Sequence, residues 1–259
     1  MTPFELLQPG TLPEALALLG GEGMRPMGGG TALMLMMKAG VLRPSRLVSL
    51  NKLGLNEIQV GPDGALRVGS MVTLRELEKS DVVRRGWPVI ARTLRTLSNV
   101  RVRNVATVGG HLAHGDPHMD LPPVLSALGA QVIVEGSKGK RTVLVEQIGT
   151  GYLETSIARG ELITRLDVPA LGKRRAAYLK CTTRSADDWP AIGVAVLLDG
   201  DRPTIFVSAA TDRPMRLASG DAIEALHIEG DLHGSAAYKK QLLRVYLKRA
   251  LHEARKPAD

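Results

Sequence analysis

The sequence predicts an α+β protein: an N-terminal part of alternating short strands and helices, then an antiparallel sheet with helices. Three observations predict it. Before about residue 170, short apolar runs alternate with capped helical stretches and glycine turns. Beyond that point, "AAYLKCTTR", "AIGVAVLLDG" and "PTIFVSAAT" follow one another with strand-like alternation and no helix between them. The chain then closes on a long amphipathic stretch after Ser235. Boundaries near residues 55 and 170 divide it into units 1–55, 56–169 and 170–259. No internal repeat or low-complexity segment interrupts them.

The elements follow from local chemistry. "FELLQPG" reads as a short strand and a turn. Thr11 and Glu14 form a Thr-x-x-Glu capping box ahead of a helix through Ala15–Leu19, which ends at Gly20 and Gly21. "MRPMGGGTALMLMMKAG" reads as a strand, a triple glycine and a helix, and "RLVSL" as a strand. "EIQVGPDGALRVGS" is a hairpin by its Pro-Asp-Gly turn. Thr73 and Glu76 repeat the capping box, and a helix is expected over about Pro88 to Leu97. "LPPVLSALGA" reads as a short helix, "QVIVEG" and "RTVLV" as paired strands, and "ELITRLDVP" as another strand. "DAIEAL" reads as a short helix. Ser235 caps the last helix, whose stripe is Leu242, Leu243, Tyr246, Leu247, Ala250 and Leu251.

The bulk composition narrows the function classes. The chain has 259 residues, 44% of them hydrophobic, enough for a buried core without covalent staples. Aromatics are 3%, so the core is aliphatic. The one cysteine, Cys181, excludes an internal disulfide and an all-cysteine iron–sulfur site. A reducing, cytoplasmic setting is expected. The start "MTPFELLQPG" lacks the charged and apolar regions of a signal peptide, and "TALMLMMKAGVL" is too short to span a bilayer. The formal net charge is +8, but the basic residues are scattered and no nucleic-acid motif accompanies them. No nucleic-acid partner is expected; the charge suits an acidic protein partner.

Two segments carry chemistry. "TVGGHLAHGDPHMD" holds His111, His114, Asp116, His118 and Asp120. Their spacing fits neither a helix face nor the common zinc helix, and a metal site is not expected. The same segment starts with a glycine loop, Thr107, Val108, Gly109, Gly110 and His111. An earlier glycine loop, Gly28, Gly29, Gly30, Thr31 and Ala32, stands directly before a helix. Consecutive glycines let amide N–H groups gather around an anion, and the helix start adds the positive end of its dipole. The earlier loop has neither the dinucleotide glycine spacing nor the Lys-Ser/Thr of a P-loop. Two such segments fit a ligand with two ends.

In combination these motifs resemble the flavin-binding medium subunit of molybdenum hydroxylases, the xanthine dehydrogenase and aerobic carbon monoxide dehydrogenase family. "RPMGGGTALMLMMKAG" is similar to its first glycine loop. "VRNVATVGGHLAHGDPHMDLPPVLSALGAQV" is similar to its second glycine segment with the following Asp-Pro and Asp-x-Pro. "GELITRLDVP", "KCTTRSADDWPAIGVAV" and "SAAYKKQLLRVYLKRAL" match its later motifs. The resemblance runs in order from residue 4 to about residue 254. It departs at Ala32, where the family usually has Asp or Ser, and at His111, where it usually has Asn.

The resemblance implies a two-lobed FAD-binding fold of the PCMH/vanillyl-alcohol-oxidase-like kind, closed by a C-terminal sheet-plus-helix domain. It implies that Met27, Gly28, Gly29, Gly30, Thr31 and Ala32 contact the FAD diphosphate, with Thr107, Val108, Gly109, Gly110 and His111 as the second contact. Asp120 would accept ribityl hydroxyls, or else cap the helix before Leu121. Ile163 would pack on the flavin plane, or else be a core isoleucine. Lys180 would sit near the flavin and tune its potential, with Arg184 and Asp188 as an ion pair beside it. The implied partners are a small subunit with [2Fe-2S] clusters and a large molybdenum-cofactor subunit, as a dimer of heterotrimers. The acceptor stays open among NAD⁺, a quinone, oxygen and others. A self-sufficient flavin oxidoreductase, and a metal-dependent hydrolase built on the 111–120 cluster, remain as alternatives.

Overall fold

The computed structural model describes residues 2–256 and contains three main sheets in chain order. The first has β1 (Glu5–Leu7), β2 (Met24–Met27) and β3 (Arg46–Ser49), all parallel, in the order β1-β3-β2. Helices α1 (Leu12–Leu19) and α2 (Thr31–Lys38) connect them. Parallel neighbours need such crossovers. Thr11 caps α1 through the Glu14 amide, but the Glu14 carboxylate accepts from Gly10 N–H, so the capping box is only half formed. A small core of Ala15, Leu19, Val48, Leu50 and Leu162 holds this sheet to the next unit.

The second sheet is antiparallel, in the order β4-β5-β10-β6-β7. Its strands are β4 (Ile58–Val60), β5 (Leu66–Gly69), β6 (Gln131–Gly136), β7 (Gly139–Leu144) and β10 (Leu162–Val168); a hairpin of β8 (Gly149–Gly151) and β9 (Glu154–Thr155) precedes β10. Six helices are inserted between β5 and β6: α3 (Leu74–Lys79), α4 (Asp81–Gly86), α5 (Pro88–Thr96), α6 (Val100–Arg103), α7 (Val108–Ala113) and α8 (Leu121–Ala127). The Thr73/Glu76 box is complete here, with Thr73 N–H on the Glu76 carboxylate at 2.8 Å and Glu76 N–H on Thr73 Oγ1 at 3.1 Å. The helices bury Leu74, Leu77, Ile90, Leu94, Leu121 and Leu125 against Leu66, Val68, Leu166 and Val168 of the sheet.

The third sheet comprises β11 (Arg175–Thr182), β12 (Pro190–Asp199), β13 (Arg202–Ser208) and β14 (Met215–Leu217), each antiparallel to the next. The sequence anticipated three of these; β14 is too short to show alternation. "DAIEAL" forms a 3-10 turn rather than an α-helix. The closing helix α9 spans Ala236–Arg255, and Ser235 caps it through the Tyr238 amide.

Residues Pro190–Leu198 of β12 are all buried, because both faces of this sheet are covered. Ala195 and Leu197 join the core of the second unit, whereas Ile192, Val194, Val196 and Leu198 pack with Leu243, Leu247 and Ala250 of α9. The strand period of two therefore divides one strand between two cores. On β11 the same period sends Ala177, Leu179 and Cys181 toward α9 and turns Ala176 and Tyr178 toward the helices of the second unit. Leu243 is fully buried in the α9 core. Leu243→Ala is expected to cost about 3 kcal/mol, from lost transfer energy and a residual cavity. Denaturant unfolding of the two proteins measures it, and a loss below about 1 kcal/mol contradicts this packing.

Candidate functional site

The first glycine loop joins β2 to α2. Gly30 is the N-cap of α2 with φ +72°, a left-handed conformation that costs a side chain-bearing residue energy. No side chain caps this helix, and its first turn holds no acidic residue. Among the described residues, the backbone N–H groups of Gly28, Gly29, Gly30, Thr31, Ala32 and Leu33 have no acceptor within the chain. These residues are only partly buried, which leaves room for an acceptor from outside the chain. Met27 ends β2, and its carbonyl accepts Leu50 N–H, which fixes where the loop starts.

The second segment is not a loop. Residues Val108–Ala113 form helix α7, with Thr107 as N-cap and its hydroxyl accepting from Gly110 N–H at 3.2 Å. Val108 N–H donates to the Val72 carbonyl, Gly109 N–H to that of Ser70, and His111 N–H to that of Thr107. All four amides from Val108 to His111 are thus engaged inside the chain. Gly109 is required by closeness: a Cβ there would lie 2.6 Å from Ser70 Cβ. Ser70 N–H in turn donates to the Thr164 carbonyl, beside a bulge of β10 after Ile163. Ile163 itself is buried in the main core.

The two glycine segments touch. A Cβ on Gly29 would stand 1.8 Å from the Val105 carbonyl oxygen, and one on Gly28 would stand 2.8 Å from Thr107 Oγ1. The approach needs glycine because the neighbour at Gly29 is backbone and cannot turn aside. The Val105 side is held in turn by Arg103, buried and paired with Glu78 at 3.0 Å, which also donates to the Leu97 carbonyl.

Asp120 precedes α8 but does not cap it. Its Oδ1 accepts from the Tyr178 hydroxyl at 2.6 Å and its Oδ2 from Lys180 Nζ at 3.0 Å. Burial raises the Asp120 carboxyl above its ordinary pKa, opposed by Lys180 and by the Tyr178 bond. Burial, reinforced by Asp120, pushes the Tyr178 phenol well up, so it stays a donor. Lys180 Nζ also donates to the carbonyls of Thr96 at 2.8 Å and Asp188 at 3.3 Å. Its three hydrogens all have protein acceptors. Any influence of Lys180 on a ligand therefore acts through its field and through Asp120 rather than through a free N–H. The expected Arg184–Asp188 pair does not form among the described residues; Asp188 Oδ1 accepts Trp189 N–H instead. Sequence reasoning missed Tyr178, although its place two residues before Lys180 on a strand was the available signal.

The histidines serve packing and an ionic bridge. His118 Nδ1 lies 2.9 Å from Asp116 and Nε2 3.4 Å from Asp231, and its ring stacks on Trp189 at 5.4 Å between centroids. Burial would lower its pKa, but the two carboxylates outweigh this and hold it above the usual value. Lys239, buried on α9, pairs with Asp231 at 2.7 Å. His111 Nε2 is buried without a partner, and His111 helps line a cavity of about 20 Å³ together with Asp116, Ile148 and Arg213. That volume holds about one water. Among the described residues no three His, Cys, Asp or Glu side chains form a set able to hold a metal ion. No helix among them is long and apolar enough to cross a membrane.

An α+β protein with a donor-lined helix start, wedged against a second glycine segment, is the class that fold and site define. The chain belongs to the family described as the FAD binding domain in molybdopterin dehydrogenase, whose model matches residues 2–171. It is 31% identical over 201 residues to the glyceraldehyde dehydrogenase medium chain of Sulfolobus acidocaldarius, covering 76% of this chain and 71% of that protein. It is 28% identical over 281 residues to the carbon monoxide dehydrogenase medium chain of Hydrogenophaga pseudoflava, covering 97% and 96%. The solved structure of carbon monoxide dehydrogenase from that organism superposes with a TM-score of 0.93 over 98% of this chain and 97% of the matched one, at 28% identity.

Burial lowers the His111 pKa to about 4, helped by the neighbouring His114 and opposed by Asp116. In the unfolded chain the ring titrates near 6.5. Between those values the unfolded state binds the extra proton, so His111 removes stability as pH falls through about 6.5 to 4 and none above. An NMR titration is expected to find the His111 ring neutral down to about pH 5; a midpoint near 6.5 contradicts its burial.

Proposed function

We propose that this chain is the FAD-binding electron-transfer subunit of a molybdenum hydroxylase complex of the xanthine dehydrogenase and carbon monoxide dehydrogenase type. It takes electrons from [2Fe-2S] clusters of a small partner subunit and passes them to an acceptor, while a large molybdenum subunit oxidises the substrate. The observation that carries this reading is the run of acceptor-free amides at the start of α2, beside Thr107. A diphosphate is the ligand chemistry that such a helix start recognises.

The residues fit FAD as follows. The amides of Gly28 to Leu33 donate to the diphosphate, with Met27 setting the loop and Ala32 leaving the first turn free of a side-chain contact. Thr107, whose hydroxyl hydrogen is uncommitted while its oxygen accepts from Gly110, adds a donor. Val108, Gly109, Gly110 and His111 shape the second wall through packing. Asp120 retains a lone pair on each oxygen for the vicinal hydroxyls of the ribityl chain. Ile163 supplies an apolar surface from the core, and Lys180 favours the ionised form of Asp120 against the burial that raises its pKa. FAD, when bound, supplies the exchange between one-electron and two-electron transfer. Units 1–55 and 56–169 act as the two clasping lobes, and unit 170–259 closes them.

The single cysteine leaves the iron–sulfur chemistry to a partner chain. The relatives are named as medium chains, which supports a complex with small and large subunits; a dimer of heterotrimers in the cytoplasm is the assembly we propose. The net charge of +8 favours docking to acidic partner surfaces.

Purification with the native partners tests the reading. The expected complex is yellow, with about one FAD per copy of this chain, and Gly29→Ala yields the same chains without flavin. A colourless wild-type complex overturns the proposal. Reduction of the flavin by NAD(P)H and its turnover in the isolated chain would make it a self-sufficient oxidoreductase instead.

A further inference from the structure

The grip on Asp120 contains one donor more than charge requires. Lys180 alone neutralises the carboxylate and sits 3.0 Å from Oδ2. The Tyr178 hydroxyl takes Oδ1 at 2.6 Å. Tyr178 and Lys180 are two residues apart on β11, so both project from the same face toward the start of α8. The sheet makes room for the phenol: a Cβ on Gly193, in the adjacent strand β12, would lie 2.6 Å from Tyr178 Oη. A lone ammonium restrains one oxygen and leaves the carboxylate free to swing about its terminal torsion, which is broad. A second donor on the other oxygen fixes its plane.

We propose that Tyr178 is a positioning residue for flavin binding: with Lys180 it holds the Asp120 carboxylate so that its remaining lone pairs meet the vicinal hydroxyls of the flavin's ribityl chain. The inference rests on the reading of Asp120 as the acceptor from those hydroxyls. Lys180 and Tyr178, both on β11, are the charged and titratable groups that face the carboxylate; α5 presents only the Thr96 carbonyl, to Lys180. Both donors favour the ionised carboxylate against the burial that raises its pKa. Losing the phenol therefore raises that pKa further, so binding fails at a higher pH when acidified.

The test is FAD affinity of the full-length apo-protein, followed by flavin fluorescence quenching across pH, for wild type, Asp120→Asn, Tyr178→Phe and the double variant. The expected results are about a ten-fold weaker affinity for Tyr178→Phe, an acidic limb displaced to higher pH, and no further loss when the change is added to Asp120→Asn. A merely structural tyrosine would weaken both backgrounds alike and leave the limb in place. An unchanged affinity in Asp120→Asn removes the underlying reading of Asp120. A weakened Asp120→Asn with an unaffected Tyr178→Phe, or with equal losses in both backgrounds, overturns the role of Tyr178 alone. If Tyr178→Phe does not give folded apo-protein by circular dichroism, Gly193→Ala, which pushes the phenol aside, carries the same expectations and the same contradiction.

Discussion

The structure depends on the contact between Gly29 and the Val105 carbonyl, where two backbone segments meet with no side chain between them. A Cβ at Gly29 would come within 1.8 Å of that oxygen. The contact sets the path of the first loop, and hence the direction in which its amides point. It also divides labour. Among the described residues, the first loop leaves six successive N–H groups without acceptors, whereas the second segment closes into α7 and its amides are satisfied. Backbone donation belongs to the first glycine segment, whereas the second offers shape and the Thr107 hydroxyl. The first N–H groups of a helix have no intrahelical partner, and here the glycines before the helix extend that run, which makes it a place for an anion.

The third unit is tied to the second by polar groups as well as by apolar packing. Ala195, Leu197 and Phe206 enter the core around α8. At one end of the 116–120 segment, His118 bridges Asp116 and Asp231, and Lys239 anchors Asp231. At the other end, Tyr178 and Lys180 hold Asp120. The segment between α7 and α8 is therefore gripped by the C-terminal unit at two points. Breaking one partner of such a buried pair leaves an uncompensated charge, which is costly, whereas the intact pair adds little net stability. The grip therefore serves position more than stability.

Much of this was legible in the sequence where the signal is local. The Thr73/Glu76 box, the Pro-Asp-Gly hairpin and the Ser235 cap each depend on residues within a few positions of one another, and each formed. The Thr11/Glu14 box formed by half, because Gly10 N–H competes for the same carboxylate. The failures were non-local. Thr107–His111 read as a glycine loop because two glycines weaken a helical pattern; packing on Ser70 overrides that preference. Asp120 read as a possible cap, but donors from a strand some sixty residues later claim its carboxylate. Lys180 read as free to face a ligand, and Arg184 as a partner for Asp188, because nothing in the spacing reveals the Thr96 carbonyl. The first glycine loop was legible as an anion site, since its argument needs only glycines and the helix that follows.

The most direct test follows the amides themselves. Backbone resonances of ¹⁵N-labelled apo-protein, recorded as FAD is added, distinguish donors from walls. The account predicts large downfield shifts among Gly28 to Leu33, with Gly109 and Gly110 retaining the positions set by their bonds to Ser70 and Thr107. Shifts led by Gly109 and Gly110, with the first loop unmoved, would contradict it.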